Sequence, residues 1–502
     1  MGRFAALGVM VCALAVLAAW SAGGALAATV VNCPPVGTDN LQAAIAAAPP
    51  GSTLLIKGTC SGNFVVPKNL TLQGSPVATL DGQGAGRTVV IAPGTTVTMT
   101  NLTVTGGHAT GAGPTGSGGG IFGLFTTLTL NNCLVTGNTA DTAGGGIASG
   151  APPGPPAGLL KVNSSRVTDN VALGLGPMGG GGGGILNHNG TAVLNNTVVS
   201  GNTAPGGGGI ASGSGAGDTT VGGSLTITGG VISGNNANAG PFGGGGGIAN
   251  GGSLTLTASS VTGNQAVGGI GGGVLNHGVA TISDSQISGN AAPDDSAGDQ
   301  GIGGGIINGN FGVPGSGVMS ITGGQVTKNQ SGLGGGIGNA AFGGDASLTI
   351  SGTAVSLNTV AGNQSGGGGI ANFGSAGDAD LTVTGATLVG NLARQGLGGA
   401  LANVGQGGAA TASIASTAIG STTLTRPYTL NPNHALFGAG IFNWDMGGPA
   451  SVSLGPSTVV VGNQAIIDGG GVYNADGASL LVSPGAAVVF NHPDNIVDNP
   501  GF

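Results

Sequence analysis

Glutamate is absent from this chain, so its 17 acidic side chains are all aspartates. With nine Lys and Arg, the charged fraction is only 5%, and aromatic residues supply 3%. So little positive charge, at a net charge of −8, excludes the basic footprint that nucleic acid requires. Cysteine is scarce too, with four residues, and no Cys/His cluster has zinc spacing. No calcium repeat of the G-G-x-G-x-D type occurs, because Asn fills the places where that Asp would stand. No metal and no cofactor is therefore implied. After residue 50 no stretch has helical periodicity, and after residue 27 no apolar run is long enough to span a membrane.

Glycine fills much of the space left, with 114 residues beside 24 prolines. At that level an aperiodic chain would be disordered, but this one is periodic. The stretch 245–276 reads GGGIAN, then LTLT, then V-T-G-N-Q-A, and then GGGVLN opens the phrase again. The apolar residue of the first half recurs as Ile121, Ile147, Ile185, Ile210, Ile248, Val274, Ile306, Ile337, Ile370, Leu401, Ile441 and Val472. The period averages about 32 residues, within the range of solenoids. The second half ends on Asn138, Asn170, Asn202, Asn235, Asn264, Asn290, Asn329, Asn363, Asn391 and Asn463, with a degraded copy ending at Asn433. Runs such as 225–228, 254–257 and 381–384 alternate apolar residues with Thr, as strands with one buried face do. A strand this short cannot bury its apolar side alone, so each repeat must stack on its neighbours in parallel register. Ile185, Ile210, Ile248 and Val274 are expected to form one inward column. The repeated Asn is expected at corners, where it tolerates a left-handed backbone, and Gly before the Ile to permit a sharp turn.

The pairing of V-x-x-N-x-A with GG-[GA]-[ILV] resembles the right-handed parallel β-helix of the pectin-lyase-like superfamily. It is also similar to the repeats of polymorphic outer-membrane proteins, with Val or Ile here mostly replacing their Phe. The resemblance covers residues 40–490. It implies an all-β, right-handed parallel β-helix solenoid with a short N-terminal capping helix. It leaves function open, because that superfamily includes lyases, hydrolases, adhesins and structural rods.

Taken in order, residues 1–27 read as a signal peptide, with Arg3, an apolar stretch and an A-L-A cleavage site. Residues 28–105 form an N-terminal cap and first rungs, 106–483 the β-helix repeats, and 484–502 a C-terminal cap or tail. Export permits disulfides. Cys33 and Cys60 bracket the first capping segment and are expected to pair, worth about 3–4 kcal/mol by loop closure. Cys133 is expected to be free, a small residue where other repeats place Thr197, Ser259 and Ser285. Asp39 and Gln42 fit a capping box for a helix over 39–48 that plugs the open end of the coil.

Candidate chemistry is thin. His188 and His277 share a repeat position, about 14 Å apart by strand spacing, and read as exposed turn residues. Asp294, Asp295 and Asp299 share a loop and read as solvated insertion. Asp345 and Asp378 align in consecutive rungs, about 5 Å apart if in register, near the separation of retaining glycosidases; turn chemistry is the plainer account. Asp445 and Asp476 align in the same way. Phe442, Trp444 and Tyr473 lie beside them in the last rungs, where outward rings and carboxylates would suit a neutral sugar, unless the tail buries both rings. The leading reading is a secreted, non-catalytic, adhesin-like surface protein, with an extracellular glycan as the possible partner. The alternative is a polysaccharide lyase or glycoside hydrolase. Outward Thr-x-Thr pairs at Thr226/Thr228, Thr255/Thr257 and Thr382/Thr384 raise a third, ice- or surface-binding role, but the ladder breaks at Lys161, Asn163 and Asn195, so ordinary strand propensity is the better account of it.

Overall fold

The computed structural model describes residues 28–150, 158–175, 181–213, 222–238, 243–294, 301–309, 316–361, 366–421 and 432–498. The expected signal peptide, Asp295, Asp299 and Asn363 lie outside them. The chain forms a right-handed parallel β-helix, built of sheets of 28, 15 and 12 strands that pair only in parallel. We call these sheets A, B and C in that order.

One rung shows the logic. Ile248–Asn250 lies in sheet B, and Ser253–Thr257 and Ser260–Thr262 lie in sheet A. Gln265–Ala266 lies in sheet C, and Val274–Asn276 returns to sheet B one rung further on. Ile248 pairs in register with Ile210 on one side and Val274 on the other, and all three are fully buried. The inward column runs unbroken from Ile121 to Val472 inside one hydrophobic core.

The corners differ from expectation in a telling way. The left-handed backbone falls on the residue before the Asn, as at Asp169, Gly201, Gly263 and Lys328, except at Asn433, where Pro432 precedes it. The Asn itself turns its side chain inward. Asn264 Nδ2 donates to Asn290 Oδ1 at 2.9 Å and to Ile232 O at 2.9 Å, and its N–H donates to Asn290 Oδ1 at 3.0 Å. The same bonds link Asn138, Asn170, Asn202, Asn235, Asn264, Asn290, Asn329, Asn358, Asn391, Asn433, Asn463 and Asn491 in one file. Asn358, not Asn363, fills the rung after Asn329, and the copy read as degraded contributes Asn433 as a full member. A second file runs from Asn250 through Asn276, Asn308, Asn339, Asn372, Asn403, Asn443 and Asn474 to Asp498.

These files also explain the glycines. Gly245 sits at φ +71, as a sharp turn requires, but Gly247 has no such φ. A Cβ there would lie 2.7 Å from Gly273 O and 3.1 Å from the Asn264 amide. The stacked glycines leave room for the buried Asn file.

At the N-terminal end the helix Leu41–Ala47 closes the coil, with Leu41 and Ile45 in the core. Asn40, not Asp39, caps it, accepting from Ala43 N–H at 3.0 Å. Asp39 instead accepts from Asn32 N–H, and Gln42 exchanges bonds with the Val65 backbone. Cys33 and Cys60 form a disulfide. Cys133 is free and buried in the Ser/Thr file, its thiol pushed up by burial. Its N–H donates to Ser165 Oγ at 2.9 Å. At the other end the tail is a further rung: Ser479–Val482 and Ala487–Val489 extend sheet A, and Ile496–Asp498 extends sheet B.

Candidate functional site

The two candidate pairs of carboxylates stay apart, separated by the rung of Leu401, which places Gly405 and Ala409 at the corresponding positions. Asp345, Asp378 and Asp476 lie in the turns from sheet B to sheet A in the rungs of Ile337, Ile370 and Val472, and Asp445 ends the sheet B strand Ile441–Asp445. The strands that lead into these corners present the outer face of sheet B. On that face Phe373, Val404 and Trp444 pair in register as one column. Phe342 joins them, its ring 5.4 Å from that of Phe373. A small cleft of about 80 Å³ opens here, lined by Leu333, Phe373, Leu397, Val404, Trp444 and Met446 among others. It exists because this place is left to Gly366, Ala371 and Ala402, whereas neighbouring rungs fill it with Ile302, Ile307, Phe437 and Phe442.

Phe442 and Tyr473 do stack on successive rungs, with centroids 5.6 Å apart and planes 7° apart. They are not open to ligand. Phe442 is 0% and Tyr473 3% exposed, packed with Leu397, Phe437 and Val497. Phe437 meets Tyr473 edge-on at 5.2 Å. The tail contributes to closing them through Val497, which pairs with Tyr473, whereas Val488 packs on the main core and Phe490 is 64% exposed. The chain arriving from sheet C folds back over them as well, with Gly438 and Gly469 at the closest points. Both rings are therefore withdrawn as a sugar platform. Trp444 remains half-buried, its ring 6.0 Å from Phe442.

The carboxylates are held by turn chemistry. Asp378 N–H donates to Asp345 Oδ1 at 3.1 Å, Ala409 N–H to Asp378 Oδ1 at 2.9 Å, and Gly447 N–H to Asp445 Oδ1 at 3.0 Å. Asp380, which has no counterpart among the sequence candidates, is exposed in the sheet A strand Ala379–Thr384 and accepts from Thr411 Oγ1. Across the face, Leu392–Leu397 and His434–Phe437 pair in sheet C. Burial, and then the charge of Arg394, push the His434 imidazole below its usual range. Among the described residues no group of three or more His, Cys, Asp or Glu could hold a metal ion. Asp294 accepts from Gly301 N–H at 3.0 Å, again as a turn residue.

One further residue was missed, and the two histidines differ from expectation. Arg87 lies 4.2 Å over the Phe122 ring and donates to Ser117 O at 2.8 Å and Thr115 O at 2.6 Å, pinning the loop above the first rungs. His277 lies in the turn after Val274–Asn276 as expected but is half-buried, and burial pushes its imidazole down to about 4, while His188 is half-buried at the end of the strand Ile185–His188. The lowered value of His277 sets a pH dependence. The folded state keeps His277 neutral, while the unfolded chain takes up a proton near 6.5. Stability is thus full above 6.5, falls as pH drops towards 4 and levels off below. The loss is about 3 kcal/mol at most. Melting curves between pH 7 and 4 are expected to fall less steeply for His277→Gln than for the parent; parallel curves would contradict this.

No known protein family matches the chain, and no curated protein matches it. Among solved structures it is similar to pectate lyase Pel9A, at 14% identity over 55% of this chain and 76% of that one, with a TM-score of 0.32. It is also similar to the periplasmic alginate epimerase AlgG, at 10% identity over 92% of this chain and 84% of that one, with a TM-score of 0.26. The A-module of the Azotobacter vinelandii mannuronan C-5 epimerase AlgE4 gives 14% over 92% and 94%, with a TM-score of 0.23. At these values no residue here is matched to a residue of those enzymes. Among the described residues no helix is long and apolar enough to cross a membrane.

Proposed function

We propose that the chain is a secreted, non-catalytic β-helix surface protein that holds a neutral glycan on the outer face of sheet B. The observation that carries this reading is the half-buried Trp444, which lines the cleft in the same sheet B strand that Asp445 ends. An aromatic face packs against the apolar C–H face of a sugar ring, and carboxylates accept bonds from its hydroxyls. Each carboxylate offers about four lone-pair sites. The turn bonds recorded for Asp345, Asp378 and Asp445 use only one oxygen of each. That same commitment to backbone N–H groups disfavours Asp345 and Asp378 as an acid and nucleophile pair. The 1–27 leader pattern and the Cys33–Cys60 disulfide support export to an oxidising compartment.

A glycan array with product analysis tests the reading. In a Trp20→Phe background Trp444 is the sole tryptophan, so its fluorescence reports on binding at the cleft. Trp444→Ala is expected to abolish retention while keeping the β-sheet circular dichroism. Tyr473→Ala, buried beneath, is expected to lower stability by about 2–4 kcal/mol. Release of shortened chains would replace this reading with the polysaccharide-active enzyme, and retention by the Trp444→Ala variant would remove the site.

A further inference from the structure

The outer face of sheet A carries a two-row lattice of hydroxyls on the side of the coil that the proposed glycan site does not use. Strand register places Thr226, Thr255, Thr281, Ser320, Thr349 and Thr382 in one row along the rod. Thr228, Thr257, Ser283, Thr322, Ser351 and Thr384 make the second row in the same six strands. Nine of these twelve positions are Thr and three are Ser. No register shift interrupts these pairings. Ile227, Leu256, Ile282, Ile321, Ile350 and Val383, between the two rows in sequence, are buried, so strand alternation drives the hydroxyl-bearing residues outward. The breaks at Lys161, Val193, Asn163 and Asn195 lie in the preceding rungs and bound the lattice rather than interrupt it. The first row continues through Ser413 and Ser453, while the second stops at Ala415.

We propose that this face binds ice. Successive hydroxyls along a row repeat every ~4.8 Å, and the two rows stand ~7 Å apart, set by strand spacing and by two residues of strand rise. The repeat along the rod is close to an oxygen repeat of hexagonal ice. Threonine presents a hydroxyl that enters a water lattice and a methyl that orders the water around it. Within the rows no ionised group holds a competing hydration shell; Asp284 and Asp380 stand outside both. Val279 and Val318, exposed at 54% and 42%, flank the rows and add apolar surface. Neighbouring hydroxyls already join, as Ser283 Oγ donates to Thr257 Oγ1 at 3.1 Å.

The test is ice growth inhibition by the purified full chain, read as thermal hysteresis and as slowed recrystallisation. The parent is expected to inhibit. Thr255→Lys with Thr349→Lys, both exposed on the lattice, is expected to lose most of the effect with unchanged β-sheet circular dichroism. Gln330→Lys, exposed on sheet C, is expected to keep it. No inhibition by the folded parent overturns the proposal, and so does equal inhibition by the paired Thr variant. Retention on crystalline cellulose or chitin without any effect on ice also overturns it, in favour of a polysaccharide surface.

Discussion

Ile248→Asp is expected to break the coil at its middle. Ile248 is 0% exposed, in register between Ile210 and Val274, in a core with no polar partner to offer. Truncating a buried Ile costs about 2–5 kcal/mol, and an ionised carboxylate placed there adds several more. The sum, on the order of 5 kcal/mol or above, is comparable to the whole stability of many domains. A solenoid transmits stability between nearest neighbours, so the damage should appear locally first. Hydrogen exchange should rise over 205–280 while the rungs around Leu54 and Ile441 stay protected, and heating should show two separated transitions. Thr255→Asp, a short way along the same rung but outward, serves as the contrast and should shift stability by about 0.5 kcal/mol or less. If Ile248→Asp melts like the parent, the column is not core.

That contrast shows what the sequence could carry. Alternation in a strand determines which residues share a face, and the repeat determines which rungs align; both are local and periodic. The inward Ile column, the strands of sheet A, the Cys33–Cys60 pairing and the buried Cys133 were legible for that reason. Alternation also placed Phe442 and Tyr473 on the outer face of sheet B, where they are. It does not say whether an outer face is wet. That depends on Leu397 and Phe437, which return from sheet C through loops of irregular length, and on small residues such as Gly366 and Ala402 leaving a gap. The same limit explains Asn358. A V-x-x-N phrase was present at 355–358, but a second Asn five residues later competed for it, and only the hydrogen-bond file distinguishes them. Asp345 with Asp378 and Asp445 with Asp476 read as two separate pairs, and they are separate in the structure, with the rung of Leu401 between them.

The Asn file predicts a dependence on chemistry rather than size. Asn264 Oδ1 accepts from both Asn235 N–H and Asn235 Nδ2, and its own Nδ2 donates to Asn290 and Ile232. Asn264→Ala leaves two buried donors and an acceptor without partners. At about 1–3 kcal/mol for each orphaned group, the loss is expected near 3–9 kcal/mol, less whatever an entering water recovers. Asn264→Asp keeps the size and the accepting oxygen but replaces the donor with a second oxygen, facing Ile232 O and Asn290 Oδ1. Ionised, that carboxylate is buried among acceptors and should cost more than the Ala change. Protonated, its O–H donates one of the lost bonds. The buried Asp therefore has its folded pKa raised above the unfolded value of about 3.9. Its stability is recovered below that unfolded value and lost as pH rises through the folded one. Melting at pH 3 should accordingly place Asn264→Asp above Asn264→Ala, and melting at pH 7 should reverse the order. An unchanged order at both pH values would mean that the file is packing alone, with no hydrogen-bonded chain through the rod.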